Sequence, residues 1–362
     1  MRIVSIVGNR PQFVKAAPLS RALRRRADEV LVHTGQHYDP ELADLFFEEL
    51  EIPRPDHALG IGPGTPLGQT AAMLVALEAL LAAERPDAVL VYGDTTTTLA
   101  GALAAAKRDV PLAHVEAGLR SFDRRMPEEQ NRVVTDHLSA LLFCPTDAAV
   151  ENLAREGIHE GVHQVGDVML DASRLFAPAA AARPGPVALG LEPGGYLLAT
   201  VHRAAATDTP EALAALVALL ESLEEPTVFP VHPRTRHRLE AAGLWPRLAA
   251  LPALRPIVPV GYLDFAALLA GARAVLTDSG GVQKEAYFQG VPCITLREET
   301  EWVETVAGGF NRLAGMDPGR VAAALADLSM PAERPAYYGD GNASGRIAEA
   351  LLAGIDGAGP AR

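Results

Sequence analysis

The chain has little of several things, and each shortage excludes a class. Only two of its 362 residues are cysteine, Cys144 and Cys293. Two thiols so far apart form neither a disulfide framework nor a zinc-ligand pattern, and they fit a reducing, cytoplasmic setting. Positive charge is in deficit, with 32 basic against 45 acidic residues and a formal net charge of −13. Phosphate backbones and anionic lipid surfaces select basic faces, so neither nucleic acid nor membrane is expected as a partner. A few placed cations would still suffice to hold a small anionic ligand. No uninterrupted apolar run approaches the ~18 residues of a membrane helix, and the sequence opens on a strand-like run, Arg2 to Val7, without a signal-peptide pattern. Neither half carries G-x-G-x-x-G after its first strand, so a nicotinamide or flavin dinucleotide has no support and no cofactor or metal is expected. Lysine is scarcest of all. There are 29 Arg but only Lys15, Lys107 and Lys284, and two of those three lie in the motifs described next.

What is present is a regular alternation of apolar runs and amphipathic stretches. Arg2 to Val7, Val30 to His33, Ala88 to Tyr92, Leu112 to Val115 and Leu141 to Cys144 read as strands. Helices are expected around Phe13 to Arg25, Pro40 to Leu50, Thr97 to Lys107, from Pro127, and around Ala148 to Arg155. The pattern restarts after a crossing near Val165 to Asp167. Strands recur at Tyr196 to Thr200, Thr227 to Pro230, Leu254 to Val258, Ala274 to Thr277 and Cys293 to Leu296, and the last helix is placed at about Ser344 to Leu352. The length suits two domains, and the βα rhythm predicts two Rossmann-like parallel-sheet α/β domains with a central cleft. The domains are placed at 1–167 and 168–342, with 343–362 as a C-terminal helix returning to the N-terminal domain.

Chemistry-bearing residues collect where these strands end, which is where parallel α/β sheets place ligands. In the second half, Thr277-Asp278-Ser279-Gly280-Gly281-Val282-Gln283-Lys284-Glu285 runs from a strand into a helix. Ser279 sits at the cap, and Gly280 and Gly281 let backbone N–H groups approach an anion closely. Glu285, one turn in, could accept both hydroxyls of a ribose. An ordinary tight helix start is the plainer reading. Arg10 and Lys15 flank the first strand–helix turn and could meet a diphosphate, or simply form a solvated helix face. His202-Arg203 projects from the end of a strand, and His232 in Pro230-Val231-His232-Pro233-Arg234 is similarly placed.

Three acids stand out in the first half. Asp94 and Glu116 each follow a strand, and Glu128 opens a helix with Arg132 on the same face at i, i+4 spacing. Helix capping is the competing reading for Asp94 and Glu128. If clustered, the three would raise one another's pKa, so that one could hold a proton near neutral pH for transfer at carbon.

Taken together, His114 to Arg120, Pro127 to Arg132 and Thr277 to Glu285 resemble the non-hydrolysing UDP-N-acetylglucosamine 2-epimerase family. The resemblance extends from the Gly8-Asn9-Arg10-Pro11 turn to Tyr338-Gly339-Asp340-Gly341. It implies a glycosyltransferase-B type fold and interconversion of UDP-GlcNAc and UDP-ManNAc without cofactor or metal, by C2 proton removal, UDP elimination to a 2-acetamidoglucal and re-addition. It implies acid/base roles for Asp94, Glu116 and Glu128, and a place for His202 near the departing diphosphate. Arg10, Lys15, Ser279, Gly280, Gly281 and Glu285 match nucleotide contacts, and Phe265 matches a position near the uracil; Arg132 and His232 are counted with the substrate-binding set. Gln36, His37, Gln69 and Arg203 match parts of an activating UDP-GlcNAc site found in some relatives. The family often forms homodimers, and one is expected here.

Four departures concern the substrate. A common Thr-Arg-Pro-Glu turn reads Asn9-Arg10-Pro11-Gln12, and a common His-Arg-x-Glu-Asn run reads His202-Arg203-Ala204-Ala205-Ala206. Trp302 stands where many members have Arg, and Lys284 where Glu is common. Several of these variants resemble a branch acting on UDP-2,3-diacetamido-2,3-dideoxyglucuronate, whose extra carboxylate an added cation could recognise. A glycosyltransferase, a hydrolysing relative and a non-catalytic UDP-sugar sensor are the other readings; solvent deuterium entering C2 separates the epimerase from the transferase, free ManNAc and UDP as main products would mark the hydrolysing relative, and tight binding with no isomerisation or exchange would mark the sensor.

Overall fold

The computed structural model of the chain describes residues 1–35, 50 and 52–357. The chain forms two compact units, one of Met1–Leu175 with Ala336–Arg362, the other of Phe176–Pro335.

The first unit holds a seven-stranded, wholly parallel sheet. Its strands are β1 (Arg2–Val7), β2 (Asp28–His33), β3 (His57–Ala58), β4 (Ala88–Tyr92), β5 (Leu112–Val115), β6 (Leu141–Cys144) and β7 (Val162–Gln164), in the spatial order 3-2-1-4-5-6-7. The order reverses between β1 and β4, and such a switch point leaves a crevice at the carboxyl ends of its two strands. The connecting helices described are α1 (Arg10–Leu23), α2 (Pro66–Glu84), α3 (Thr96–Lys107), α4 (Pro127–Leu138) and α5 (Asp147–Arg155). Asn9 caps α1 and Thr95 caps α3 through a capping box with Thr98. Asp94 therefore has no capping duty. Helix α6 (Val168–Ala181) carries the chain out of this unit, and α13 (Ala343–Gly357), the last helix, packs on α1 and β6.

The second unit repeats the design with six parallel strands. They are β8 (Leu197–Thr200), β9 (Thr227–Pro230), β10 (Leu254–Ile257), β11 (Ala274–Thr277), β12 (Cys293–Thr295) and β13 (Asn311–Leu313), in the order 10-9-8-11-12-13, so the switch lies between β8 and β11. Successive residues of these strands enter different cores. Leu197, Ala199, Ala274, Leu276 and Phe229 belong to one cluster, whereas Leu198, Val275 and Val228 belong to another. A sheet buried on both faces needs this near-continuous apolar run in place of polar–apolar alternation. Of the helices here, α7 (Pro210–Glu221), α8 (Pro233–Ala241), α9 (Tyr262–Ala270), α10 (Gly280–Gln289), α11 (Val303–Ala307) and α12 (Pro318–Ala326) are used below or frame the sheet.

Two expectations need adjustment. The helix placed over Pro40 to Leu50 lies outside the described residues, apart from Leu50, which is buried. Helix α2 has no counterpart in the sequence reading. By length and composition it is apolar enough to cross a membrane, yet its Met73, Leu77, Leu80 and Leu81 are buried in the core of the first unit.

Candidate active site

At the switch of the first sheet, Gln12 joins β1 to β4. Its amide oxygen accepts from Gly8 N at 2.7 Å, and its amide nitrogen donates to Tyr92 O at 2.6 Å and Thr95 Oγ1 at 2.9 Å. A Glu carboxylate has no N–H for the Tyr92 carbonyl, so the Gln12 departure alters how this crevice is braced. Sequence reasoning assigned Gln12 no role. The Arg10 side chain lies outside the described set.

One turn further along α1, Lys15 forms an ion pair with Glu116. The sequence reading offers Lys15 as a diphosphate contact or as part of a solvated helix face; here its ammonium lies against the Glu116 carboxylate. Glu116, directly after β5, has φ +70°. A non-glycine residue held in the left-handed region carries a strain cost of order ~1–3 kcal/mol that its surroundings must offset. Here two backbone N–H groups, of Glu116 and Ala117, both donate to Phe143 O at 3.1 Å. Gly93 shapes the opposite wall. It has φ +63°, and a Cβ there would lie 3.2 Å from Lys15 Nζ and 3.3 Å from Glu116 Oε2.

Asp94, the residue after Gly93, pairs with Arg132 of α4, while Asn131 Nδ2 donates to Asp94 O at 2.8 Å. Two of the three acids thus face a cation, Asp94 with Arg132 and Glu116 with Lys15. Arg132 does not pair with Glu128. It bonds Glu129 Oε2 through Nη2 at 2.9 Å. Glu129, not Glu128, takes the structural role, accepting from Ser121 N and Phe122 N at 2.9 Å each. Burial would raise its pKa, but these N–H groups and Arg132 hold it below the usual carboxylate range. Glu128 in the first turn of α4 is left exposed.

Behind this wall lies a charge network that sequence reasoning also missed. His114 is fully buried on β5; its Nδ1 lies 2.7 Å from Asp136 Oδ1 and its Nε2 2.7 Å from Gly93 O. Arg120 donates to Asp136 Oδ2 at 2.6 Å and grips Glu156 with two bonds of 2.7 and 2.8 Å. Burial pushes the Asp136 pKa up, and His114 and Arg120 overcome this to hold it down. The i, i+3, i+7 spacing of Glu129, Arg132 and Asp136 on α4 was the available signal.

In the second unit the switch strands end at His202 and Asp278. Asp278, buried, accepts from His202 N at 2.9 Å and Arg203 N at 2.8 Å, and its Oδ1 lies 3.2 Å from His202 Nδ1. Burial works against its ionisation, but His202 and the two N–H groups keep its pKa low. An ionised Asp278 fixes the proton on Nδ1 and leaves Nε2 of the half-exposed His202 for another partner. His232 stacks 5.5 Å from the His202 ring, and its own Nδ1 accepts from Arg234 N at 3.2 Å.

Helix α10 starts at Gly280 with Ser279 as its cap residue, but the Ser279 side chain makes no capping bond. The first N–H groups of α10, on Gly280 and Gly281, are therefore not capped by the Ser279 side chain. Glu285 is buried one turn in. Desolvation pushes its pKa up to about 7, only partly opposed by Lys284, and it in turn raises the pKa of Tyr262 on α9 beyond what burial does. Phe265, also on α9, is partly buried against the same core. Among the positions matched to an activating site, Gln36 and His37 lie outside the described residues. Gln69, in the first turn of α2, donates to Gly62 O at 3.0 Å, and the Arg203 guanidinium reaches the Gly280 turn. Among the described residues no group of three His, Cys, Asp or Glu is arranged to hold a metal ion.

The family model described as UDP-N-acetylglucosamine 2-epimerase matches residues 21–352. A Methanococcus maripaludis protein called a UDP-N-acetylglucosamine 2-epimerase homolog is 49% identical over 97% of this chain and 99% of its own. A Pseudomonas aeruginosa UDP-2,3-diacetamido-2,3-dideoxy-D-glucuronate 2-epimerase is 47% identical, again over 97% and 99%. The crystal structure of Methanocaldococcus jannaschii UDP-GlcNAc 2-epimerase in complex with UDP-GlcNAc and UDP aligns with a TM-score of 0.92 at 42% identity, covering 98% of this chain and all of that one. Similarity of this extent, over both parallel-sheet units, means that the chain belongs to the UDP-N-acetylglucosamine 2-epimerase family of isomerases.

Proposed function

We propose that the protein inverts C2 of a UDP-linked 2-acetamido sugar, interconverting UDP-GlcNAc and UDP-ManNAc. The observation that carries this reading is the Lys15–Glu116 pair, a carboxylate on a strained backbone at a strand end with an ammonium against it. A carboxylate removes the C2 proton, the C–H electron pair forms the C1–C2 double bond, and the C1–O bond breaks to release UDP. UDP oxygen then returns to C1 and a proton is delivered to the other face of C2. Asp94 and Glu128 are the companion acids. The C2 proton is weakly acidic, so its removal depends on stabilising the UDP that leaves. The N–H groups at Gly280 and Gly281 and the Asp278-oriented His202 supply that stabilisation, with Glu285 on the ribose and Phe265 near the uracil.

A second reading, the same chemistry on UDP-2,3-diacetamido-2,3-dideoxyglucuronate, is favoured by a specific observation: Lys284, at a position where Glu is common, lies buried over the Trp302 ring. An NMR time course in D₂O with each substrate tests both. Deuterium entering C2 with formation of the manno epimer supports epimerisation and identifies the sugar; inactivity of folded protein on both refutes it.

We also infer a homodimer and a cytoplasmic site of action. Helix α2 turns Leu67, Ala71, Val75 and Ala79 outward at four-residue spacing, with Leu67 81% and Val75 72% exposed. Such a stripe suits the same stripe on a second copy. Both thiols are buried and free, which fits a reducing compartment.

A further inference from the structure

The turn from β4 to α3 contains three successive peptide groups, and the middle one is held differently from its neighbours. In the first, Tyr92 O accepts from Gln12 Nε2 and Thr98 Oγ1, both at 2.6 Å, and Gly93 N donates to Val115 O at 2.9 Å. In the third, Asp94 O accepts from Asn131 Nδ2 at 2.8 Å and Thr95 N donates to Thr98 Oγ1 at 3.2 Å. In the middle peptide, Gly93 O lies 2.7 Å from His114 Nε2, while the Asp94 N–H has no acceptor among the described residues. Gly93 has φ +63° and no Cβ, so little in its own backbone resists rotation of this peptide. His114 is the group that fixes it.

Hydrogen-bond accounting gives the state of the His114 ring. A carbonyl oxygen can only accept, so Nε2 carries a hydrogen. Nδ1 lies 2.7 Å from Asp136 Oδ1, and Asp136 Oδ2 already accepts from Gly118 N at 3.1 Å and Arg120 Nη1 at 2.6 Å. Arg120 and His114 hold Asp136 ionised against its burial, so Nδ1 carries a hydrogen as well. The fully buried ring is thus an imidazolium. Its surroundings balance the charge: His114 and Arg120 stand against Asp136 and Glu156. Cys144, near Asp136, stays a thiol because burial raises its pKa.

In a trans peptide the N–H points opposite to the C=O, and no cis peptide occurs among the described residues. β5, which carries His114, lies on one side of β4, and β1 lies on the other. With Gly93 O turned towards β5, the Asp94 N–H points to the β1 side, into the switch-point crevice. Lys15 and Glu116 line that side of Gly93. A phosphate there would meet the Asp94 and Glu116 carboxylates, whose cations Arg132 and Lys15 are already engaged. A neutral carbonyl oxygen is the acceptor that suits the place. In a sugar bound for reaction at C2, the 2-acetamido group carries one on that carbon.

We propose that His114 is a positioning residue whose imidazolium locks the Gly93–Asp94 peptide, so that the Asp94 N–H stands ready to donate to the acetamido carbonyl oxygen of the bound UDP-sugar. The inference rests on the epimerase reading above. The bond fixes the acetamido group and with it C2 beside the carboxylates.

The test compares wild type with His114→Gln and His114→Asn, which keep an amide donor but no charge. The probes are UDP, UDP-GlcNAc and UDP-2,3-diacetamido-2,3-dideoxyglucuronate. On whichever sugar the wild type turns over, kcat/KM for C2 deuterium exchange should fall about 10²-fold or more, as on losing one preorganised donor. Calorimetry should show weaker binding of that UDP-sugar and unchanged binding of UDP. Thermal melting checks folding. A measurement on the wild type alone covers variants that melt early: the carbonyl carbon of a ¹³C-labelled 2-acetamido group should shift downfield on binding. Undiminished exchange in folded variants, equal loss of affinity for UDP and UDP-sugar, or an unshifted carbonyl signal in the complex overturns the inference and leaves the epimerase reading intact. Absence of wild-type exchange on both sugars overturns the epimerase reading itself.

Discussion

Lys15 and Glu116 are 101 residues apart in sequence and form one ion pair, reached from the first helix on one side and from the end of β5 on the other. The ammonium aims the carboxylate, and Gly93 leaves just enough room for both. Removing either charge should be felt in the chemical step more than in folding. Glu116→Gln is expected to lower kcat for C2 exchange by about 10²–10⁴-fold, the usual range for a general acid or base, with a melting temperature close to the wild type. Lys15→Met should lower it less. Unchanged exchange in Glu116→Gln would remove Glu116 from the chemistry.

Glu285 predicts a pH effect on ligand binding. Burial pushes its pKa up to about 7 in the free protein. A ribose donates hydroxyl hydrogens, which the ionised carboxylate accepts better, so UDP should bind more tightly as pH rises from 6 to 8 and release a proton on binding. Calorimetry in buffers of different ionisation enthalpy reads both. Glu285→Gln should abolish the slope. The same raised pKa makes the folded state hold a proton that the unfolded state has lost. Glu285 therefore costs stability progressively between about pH 4.5, near the unfolded carboxylate value, and about 7.

Asp136 predicts the opposite sign. Its pKa is held below that of the unfolded chain by His114 and Arg120. Its contribution is fully present above the unfolded value of about 4 and is lost as pH falls through the depressed folded value. Asp136→Ala leaves Arg120 and His114 buried without it and should cost about 3–5 kcal/mol in denaturant unfolding at pH 7. A loss below 1 kcal/mol would mean that the network does not brace β5.

Asp278 orients His202 by three contacts, two to backbone N–H groups and one to Nδ1. Asp278→Asn keeps a side-chain oxygen acceptor but loses the charge that sets the tautomer. We expect kcat to fall about 10²-fold or more, by analogy with other carboxylate-oriented histidines, while UDP affinity in calorimetry changes little. A fall in affinity with kcat preserved would assign Asp278 to binding instead.

The outward stripe of α2 makes a prediction about assembly. Val75→Glu places a charge in the apolar centre of the stripe. Light scattering after size exclusion should then show monomer for the variant and dimer for the wild type, with little change in far-UV circular dichroism. Identical masses would exclude α2 as the contact.

Much of the architecture could be read from the residues alone. The bounds of β1, β4, β5, β6, β9 and β11 coincide with the apolar runs, because a strand buried on both faces must be apolar throughout and its ends are marked by turn formers. The edge strands β3, β7 and β13 span only two or three residues, too short to carry a pattern. Helix α2 escaped for the opposite reason. It is apolar on its outward face as well as its inward one, so the 3.6-residue alternation that identifies a helix is blurred.

The sequence by itself determined which residue types stand at the strand ends: Asp94 and Glu116 in one sheet, His202 and the Asp278 to Gly281 turn in the other. Local order suffices for that, since a strand end is defined by the run before it. Only the tertiary structure decided the partners. Lys15 meets Glu116 because β4 and β5 follow β1 in space, and strand order is set by long-range packing. Glu129 rather than Glu128 braces Arg132 because the phase of α4 turns one carboxylate inward and its neighbour out to solvent. Lys284 and Trp302, 18 positions apart, become one unit only when α10 and the turn before α11 fold against each other.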